Sequence, residues 1–244
     1  MFPEDTAETL ILRRLISTLP IEQFTPPPLG MPSKSLPDHV PSPGNAFSLS
    51  GPDMPQMRMP HLEFIYRIVA EMDKGGVTEI KGVDSTSRTR VVLPIQGGYV
   101  NGPQIKGTIV EKSGADWAEV INPNKVQNLI GDDIKIETNK QTQSFTRLNA
   151  MYTLQTDDNV YILVKAQGIY RTGPGIDEKA GEKDSVSQDE MEYFTHITFE
   201  APGDSAYGWL NGVVAMGVMI MWQGRPVIDC YRLTNFPGRL AANL

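Results

Sequence analysis

A carboxylate beside an indole, a histidine in mid-strand and a scatter of tyrosines are the side chains of this sequence best suited to chemistry. Asp116 follows Gly114-Ala115 and directly precedes Trp117. A carboxyl packed against an indole loses hydration, which raises its pKa and suits it to general acid or base work. The competing reading is an aspartate at a strand end that accepts backbone amides. His196 lies within Tyr193-Phe194-Thr195-His196-Ile197-Thr198-Phe199. Turned inward it would handle protons or donate a hydrogen bond; alternation groups it with Phe194 and Thr198 but does not say which face is the interior. Tyr170 is a third candidate, a hydroxyl able to polarise a carbonyl.

Other residues suit the wall of a binding site. Tyr66, Tyr99, Trp117, Tyr152, Tyr170 and Trp209 fall on strands or at strand ends, as aromatics lining a barrel mouth would, or as plain core filling would. Trp209 and Asn211 share a face if their segment is a strand. Asp158, in the turn Asp157-Asp158-Asn159, has a structural use as an acceptor of backbone amides. The histidines, His39, His61 and His196, are not spaced as ligands on one strand or helix, so no metal is expected. No phosphate-cradling glycine pattern opens a helix, no Gly-x-Ser-x-Gly elbow occurs, and no cofactor is expected.

The elements that would position these residues are strands. His61–Ala70 alternates as a first strand, and Arg88–Ile95 is a second, ending at Gln96-Gly97-Gly98. The glycines from Gly98 to Gly107 are spaced as in a bent or bulged barrel strand. Residues 122–143 read as a polar loop. Ala150–Thr156 and Val160–Tyr170 form a hairpin about the Asp157-Asp158-Asn159 turn. Residues 177–190 are a charged loop, and Tyr193–Phe199 is another strand. A strand is expected from Tyr207 to Trp222, and a turn at Gln223-Gly224-Arg225 leads into Val227–Leu233. Eight or nine short strands without a long amphipathic helix favour an all-β, antiparallel closed barrel, because closure removes exposed edges.

Ahead of this barrel domain (59–244) the sequence changes character. Residues 4–18 read as a short amphipathic helix, and eleven prolines between positions 20 and 60 forbid regular helix or central strand. Residues 1–58 are therefore expected to be a helix followed by an extended arm, serving as a linker or as a cap on the barrel or a neighbouring subunit.

The net charge of −7 argues against nucleic-acid and anionic-membrane partners, which require a basic surface. The longest apolar run, Gly212–Trp222, is too short to span a bilayer, and the acidic N-terminus does not resemble a signal peptide. The expectation is a soluble, cytoplasmic protein with an apolar small-molecule partner and room for a homo-oligomer. The single cysteine, Cys230, lies in an apolar run and reads as a buried structural thiol.

Four ordered motifs carry a family likeness. Gly97-Gly98-x-x-x-Gly102-Pro103-x-x-x-Gly107, Gly114-Ala115-Asp116-Trp117, Tyr152-Thr153-Leu154-x-Thr156-Asp157-Asp158 and Tyr207-x-Trp209-Leu210-Asn211 resemble domain-of-unknown-function family 3237, over about residues 59 to 235. The resemblance implies a small lipocalin-like barrel and marks Asp116, Trp117, Asp158 and Trp209 as motif positions without assigned roles. Two positions depart from the family pattern. Met151 stands where an arginine is common, a role Arg147 could supply, and Asn159 stands where a glycine is common. Long, arm-bearing forms look like fungal members, some resembling proteins of secondary metabolism. That likeness implies a cofactor-free cyclase or isomerase, pericyclic chemistry included, acting on a polyketide- or terpenoid-like intermediate. A carrier, or an acid–base hydrolase or dehydratase using Asp116 and His196, is the alternative.

Overall fold

The computed structural model describes residues 58–82, 88–121, 144–173, 176 and 183–238. The expected N-terminal helix, all but the end of the proline-rich arm, and the loop at 122–143 lie outside them. The described chain is an antiparallel sheet of ten strands: β1 (His61–Met72), β2 (Thr78–Lys81), β3 (Arg88–Asn101), β4 (Lys106–Ile109), β5 (Gly114–Ile121), β6 (Phe145–Thr156), β7 (Tyr161–Thr172), β8 (Met191–Glu200), β9 (Ala215–Trp222) and β10 (Arg225–Thr234).

Each strand from β6 to β10 pairs with its sequence neighbour, β10 pairs with β1, and β1 pairs with β3. Two short strands, β4 and β5, occupy one position between β3 and β6. β5 covers Arg88–Ile95 of β3, and β4 covers Gly98–Asn101. The ring is thereby closed, and β2 adds to β3 beyond the end of β1. Counting β4 and β5 as one, the wall has eight positions, about the size that leaves room inside for side chains or one small ligand.

Alternation decides what fills that interior. In β6, Thr146, Leu148, Ala150, Tyr152, Leu154 and Thr156 are all buried, whereas Arg147, Asn149 and Met151 are exposed. In β8, Met191, Tyr193, Thr195, Ile197 and Phe199 are buried, and Phe194, His196, Thr198 and Glu200 face solvent. The expected bend in β3 is at Gly98, whose φ of 142° lies outside the range that suits side chains. A Cβ there would stand 2.3 Å from the Val69 carbonyl oxygen on β1. Only glycine permits so close a crossing.

The strand expected from Tyr207 to Trp222 is a 3-10 helix over Gly208–Gly212 followed by β9. Gly208 and Gly212 bracket a stretch lacking period-2 alternation, which lets the chain coil and cross one end of the barrel. Leu210 from this helix and Tyr207 before it join Ile105, Leu154, Ile162 and Phe199 in the core and plug that end. The opposite end carries the connections β1–β2, β2–β3, β5–β6, β7–β8 and β9–β10. Among the described residues no helix is long and apolar enough to cross a membrane.

Candidate active site in the barrel interior

Between the plug and the opposite end the inward side chains leave a cavity of about 100 Å³. Its wall is apolar for most of its extent, with Ile68, Ala70 and Met72 from β1, Leu93 and Ile95 from β3, and Met219 and Met221 from β9. Four polar residues complete it: Asp116 from β5, Tyr152 from β6, Tyr170 from β7 and Tyr193 from β8. Small residues, Ala70 and Ala150, keep the middle of the barrel open where larger ones would fill it.

Among the described residues, Asp116 is the only acidic side chain on this wall. Its Oδ1 accepts a 2.9 Å hydrogen bond from the Asn149 backbone N–H, a donor that β6 can spare because Asn149 lies next to the Asp116–Ala150 register pair. Burial among apolar groups pushes the carboxyl pKa up to about 6, and the Asn149 amide only partly offsets this. The carboxyl therefore changes protonation near neutrality, where a proton-transfer group is most effective.

The tyrosines around it stay neutral at that pH. Burial raises Tyr170 to about 12 and holds Tyr152 and Tyr193 above the usual tyrosine range, and the nearby Asp116 charge adds to the shift at Tyr193. Tyr170 and Tyr193 sit side by side in the β7–β8 register. The buried Tyr170 hydroxyl makes no hydrogen bond. Such a group costs about 1–3 kcal/mol unless a ligand or water meets it, and Tyr170 is one of the residues lining the cavity. Deeper in, the fully buried Tyr66 hydroxyl lies against the Tyr152 hydroxyl and the Cys230 thiol, a polar group of its own beside the cavity. Cys230 is buried, as expected, and its thiol is pushed up to about 12 by burial, which leaves it inert as a nucleophile.

Of the residues singled out in the sequence, Asp116, Tyr152 and Tyr170 meet at the cavity, and Tyr66 lies in the core beside it. The others are elsewhere. His196 is exposed on the outer face of β8, paired with Gln167 and Met216, and cannot reach the interior. Trp117 is on the outer face of β5 because successive residues of a strand point oppositely, so the indole does not pack on the carboxyl inside. Desolvation of Asp116 comes from the aliphatic and tyrosine wall instead. Tyr99 is half-buried on the outer face of β3, where its neighbours include the guanidinium of Arg67.

Asp158, Trp209 and Asn211 belong to the plugged end. The Tyr207 hydroxyl donates to Asp158 Oδ1 at 2.8 Å, and the Thr156 hydroxyl donates to the same oxygen at 2.5 Å. These bonds hold the Asp158 carboxyl below the usual carboxylate range. Trp209 and Asn211 share the 3-10 helix, not a strand. Trp209 packs on the core, while exposed Asn211 clamps Ala201 by accepting from its N–H (2.8 Å) and donating to its carbonyl (2.9 Å). The two departures from the family pattern also have physical readings. Asn159 has φ of 63°, a left-handed position that asparagine tolerates almost as glycine does, and Met151 faces outward. Arg147, also outward, pairs with Glu119 at 3.6 Å, so an arginine at either position is remote from the cavity.

Tyr193 was not anticipated. Its strand gives a signal: the face of Tyr193 holds Met191, Thr195, Ile197 and Phe199, and the other holds Glu192, His196 and Glu200. Charges mark the outer face.

The family model for the proteins of unknown function DUF3237 matches residues 60–233. The chain belongs to the DUF3237 family. No curated protein matches it. Among solved structures, a β-barrel-like protein from Acinetobacter baumannii is 23% identical, with a TM-score of 0.54, over 73% of this chain and 99% of that one. A conserved protein of unknown function from Rhodopseudomonas palustris is 24% identical, with a TM-score of 0.56, over 72% and 99%. An enzyme from Penicillium herquei covers 74% of this chain and 98% of its own, but at 18% identity and a TM-score of 0.46 it bears on neither fold nor function here. The bacterial likenesses speak to the fold. The family match ends where the barrel does, so the barrel is the DUF3237 unit.

Proposed function

We propose that this DUF3237 protein is a cofactor-independent isomerase or cyclase acting on an apolar, polyketide- or terpenoid-like intermediate of secondary metabolism. The observation that carries the reading is the isolated Asp116 carboxyl, set in an apolar cavity whose other polar groups are tyrosine hydroxyls. In this reading the wall confines the substrate in one conformer, and the Tyr170 hydroxyl donates to a carbonyl oxygen of the substrate. The Asp116 carboxylate removes a proton from the carbon next to that carbonyl and returns it elsewhere on the same conjugated system. The electron pair moves into the enolate, whose oxygen holds the Tyr170 hydrogen bond, and back to carbon as Asp116 returns the proton, so the protein ends as it began. The same enolate, formed in a folded chain, can add to a second carbonyl carbon of that chain. The new C–C bond forms as that carbonyl's π bond breaks, and the proton held by Asp116 passes to the resulting alkoxide, so the ring closes with no leaving group.

A test substrate of suitable size is cyclohex-3-enone, whose conversion to the conjugated enone is followed by ultraviolet absorbance. The expected result is acceleration by the purified chain without added cofactor, lost in Asp116→Asn. Binding of the ketone with no change in its rate would leave a carrier, the non-catalytic reading. The acid–base pair of Asp116 with His196 does not enter, since the two lie on opposite sides of the barrel wall.

A further inference from the structure

We infer that the cavity selects uncharged carbonyl compounds and turns away carboxylates of the same shape; the inference rests on the proposed site at Asp116. An anion buried in such a space needs a cation or several donors to replace its water. Among the described residues, the cavity wall has no lysine, arginine or histidine. The one arginine buried in the described barrel, Arg232, is committed to Glu63 through bonds of 3.1 and 2.7 Å. Along β10 it follows the inward Ile228 and Cys230 toward the plugged end, away from the cavity. The other arginines beside β5, Arg88, Arg90 and Arg147, gather on the outer face around Glu119, across the wall from Asp116.

What the cavity does offer is one acid and three phenols. Above pH 6 Asp116 carries a negative charge, which opposes a second one inside a low-dielectric space. A ketone suffers neither penalty. Its oxygen accepts from the unbonded Tyr170 hydroxyl, and its carbon frame fills the aliphatic wall. An amine-bearing guest would pair with Asp116 but give the Tyr170 donor no acceptor, so the carbonyl fits both groups. Size sets the scale of the polar end: about 100 Å³ is below the roughly 150 Å³ of an apolar cavity that takes up benzene, so it encloses a carbonyl and the carbons next to it while the rest of a guest lies toward the open side of the cavity.

The test compares three isosteric probes at pH 8, acetophenone, benzoate and isopropylbenzene, by protein-observed NMR with full-length chain. The expected order is acetophenone tightest, with benzoate weaker by at least about tenfold. In Tyr170→Phe the advantage of acetophenone over isopropylbenzene should vanish while isopropylbenzene binds as before, which separates a lost donor from a damaged fold. In Asp116→Asn benzoate should gain several-fold. Benzoate binding as well as acetophenone would overturn the selectivity while leaving the pocket in place. No binding of any probe would overturn it together with the proposed site. Selective binding of acetophenone without turnover of an enone would uphold the selectivity and remove only the catalytic reading.

Discussion

Replacing Asp116 by asparagine should make the protein more stable at neutral pH and remove part of its pH dependence. The side chain keeps its shape, and the amide oxygen can still accept from the Asn149 N–H. What it loses is a charge in an apolar space. The carboxyl pKa rises from 3.8 to about 6 on folding. The folded state therefore binds more protons than the unfolded state between those values, and stability falls as pH rises through about 6. A shift of about two units is worth about 3 kcal/mol, fully present as destabilisation above pH 7 and absent below pH 3.5. The asparagine NH2, facing an apolar wall, adds a pH-independent cost of about 1 kcal/mol. The variant should thus be less stable than the parent by about 1 kcal/mol near pH 4 and more stable by about 2 kcal/mol at pH 8. Urea unfolding at pH 4, 6 and 8 measures the difference directly, provided both proteins unfold in one step. A stability difference that stays constant from pH 4 to pH 8 would refute the claim that the carboxyl is desolvated. A group retained against its own stability cost is characteristic of functional sites.

Other expectations test neighbouring parts of the account. Enone isomerisation should rise with pH through an apparent pKa near 6 and level off by pH 7.5, because the base must be ionised, and His196→Gln should leave this profile unchanged. Met219→Trp should fill the cavity, abolish ketone binding in NMR titrations and cost about 1–3 kcal/mol in unfolding experiments through overpacking. Tyr207→Phe, which removes the hydrogen bond to Asp158 at the plugged end, should lower the melting temperature by about 2–4 °C without altering ketone affinity.

Much of this molecule was legible before its structure. The barrel follows from short alternating strands and their turns, and the Asp157-Asp158-Asn159 and Gln223-Gly224 turns occur where expected, with positive φ at Asn159, Gln223 and Gly224. Asp116 was legible as a residue that could do chemistry, but for the wrong reason, since its neighbour Trp117 points the other way. The direction of a side chain on a strand depends on register, and a one-residue error exchanges inside and outside. His196 illustrates the consequence. The partition of charges along β8 resolves that register, and reading it would have exchanged His196 for Tyr193. The motif at Tyr207–Asn211 looked like a pocket wall because tryptophan and asparagine commonly bind ligands. Here glycines at 208 and 212 let the chain coil, and the same residues hold a plug in place. No local pattern announces the cavity itself, which arises from side chains contributed by nine strands spread over 160 residues of sequence, from Ile68 to Ile228.

The central claim is that Asp116 moves a proton at the carbon beside a bound carbonyl. Deuterium uptake into the methyl group of acetophenone in D2O, followed by proton NMR, reads that step alone, without ring closure or product release. Uptake should be accelerated by the parent chain, lost in both Asp116→Asn and Met219→Trp, and retained in His196→Gln. Equal uptake with the parent and Asp116→Asn, under conditions where both bind the ketone, would contradict the claim.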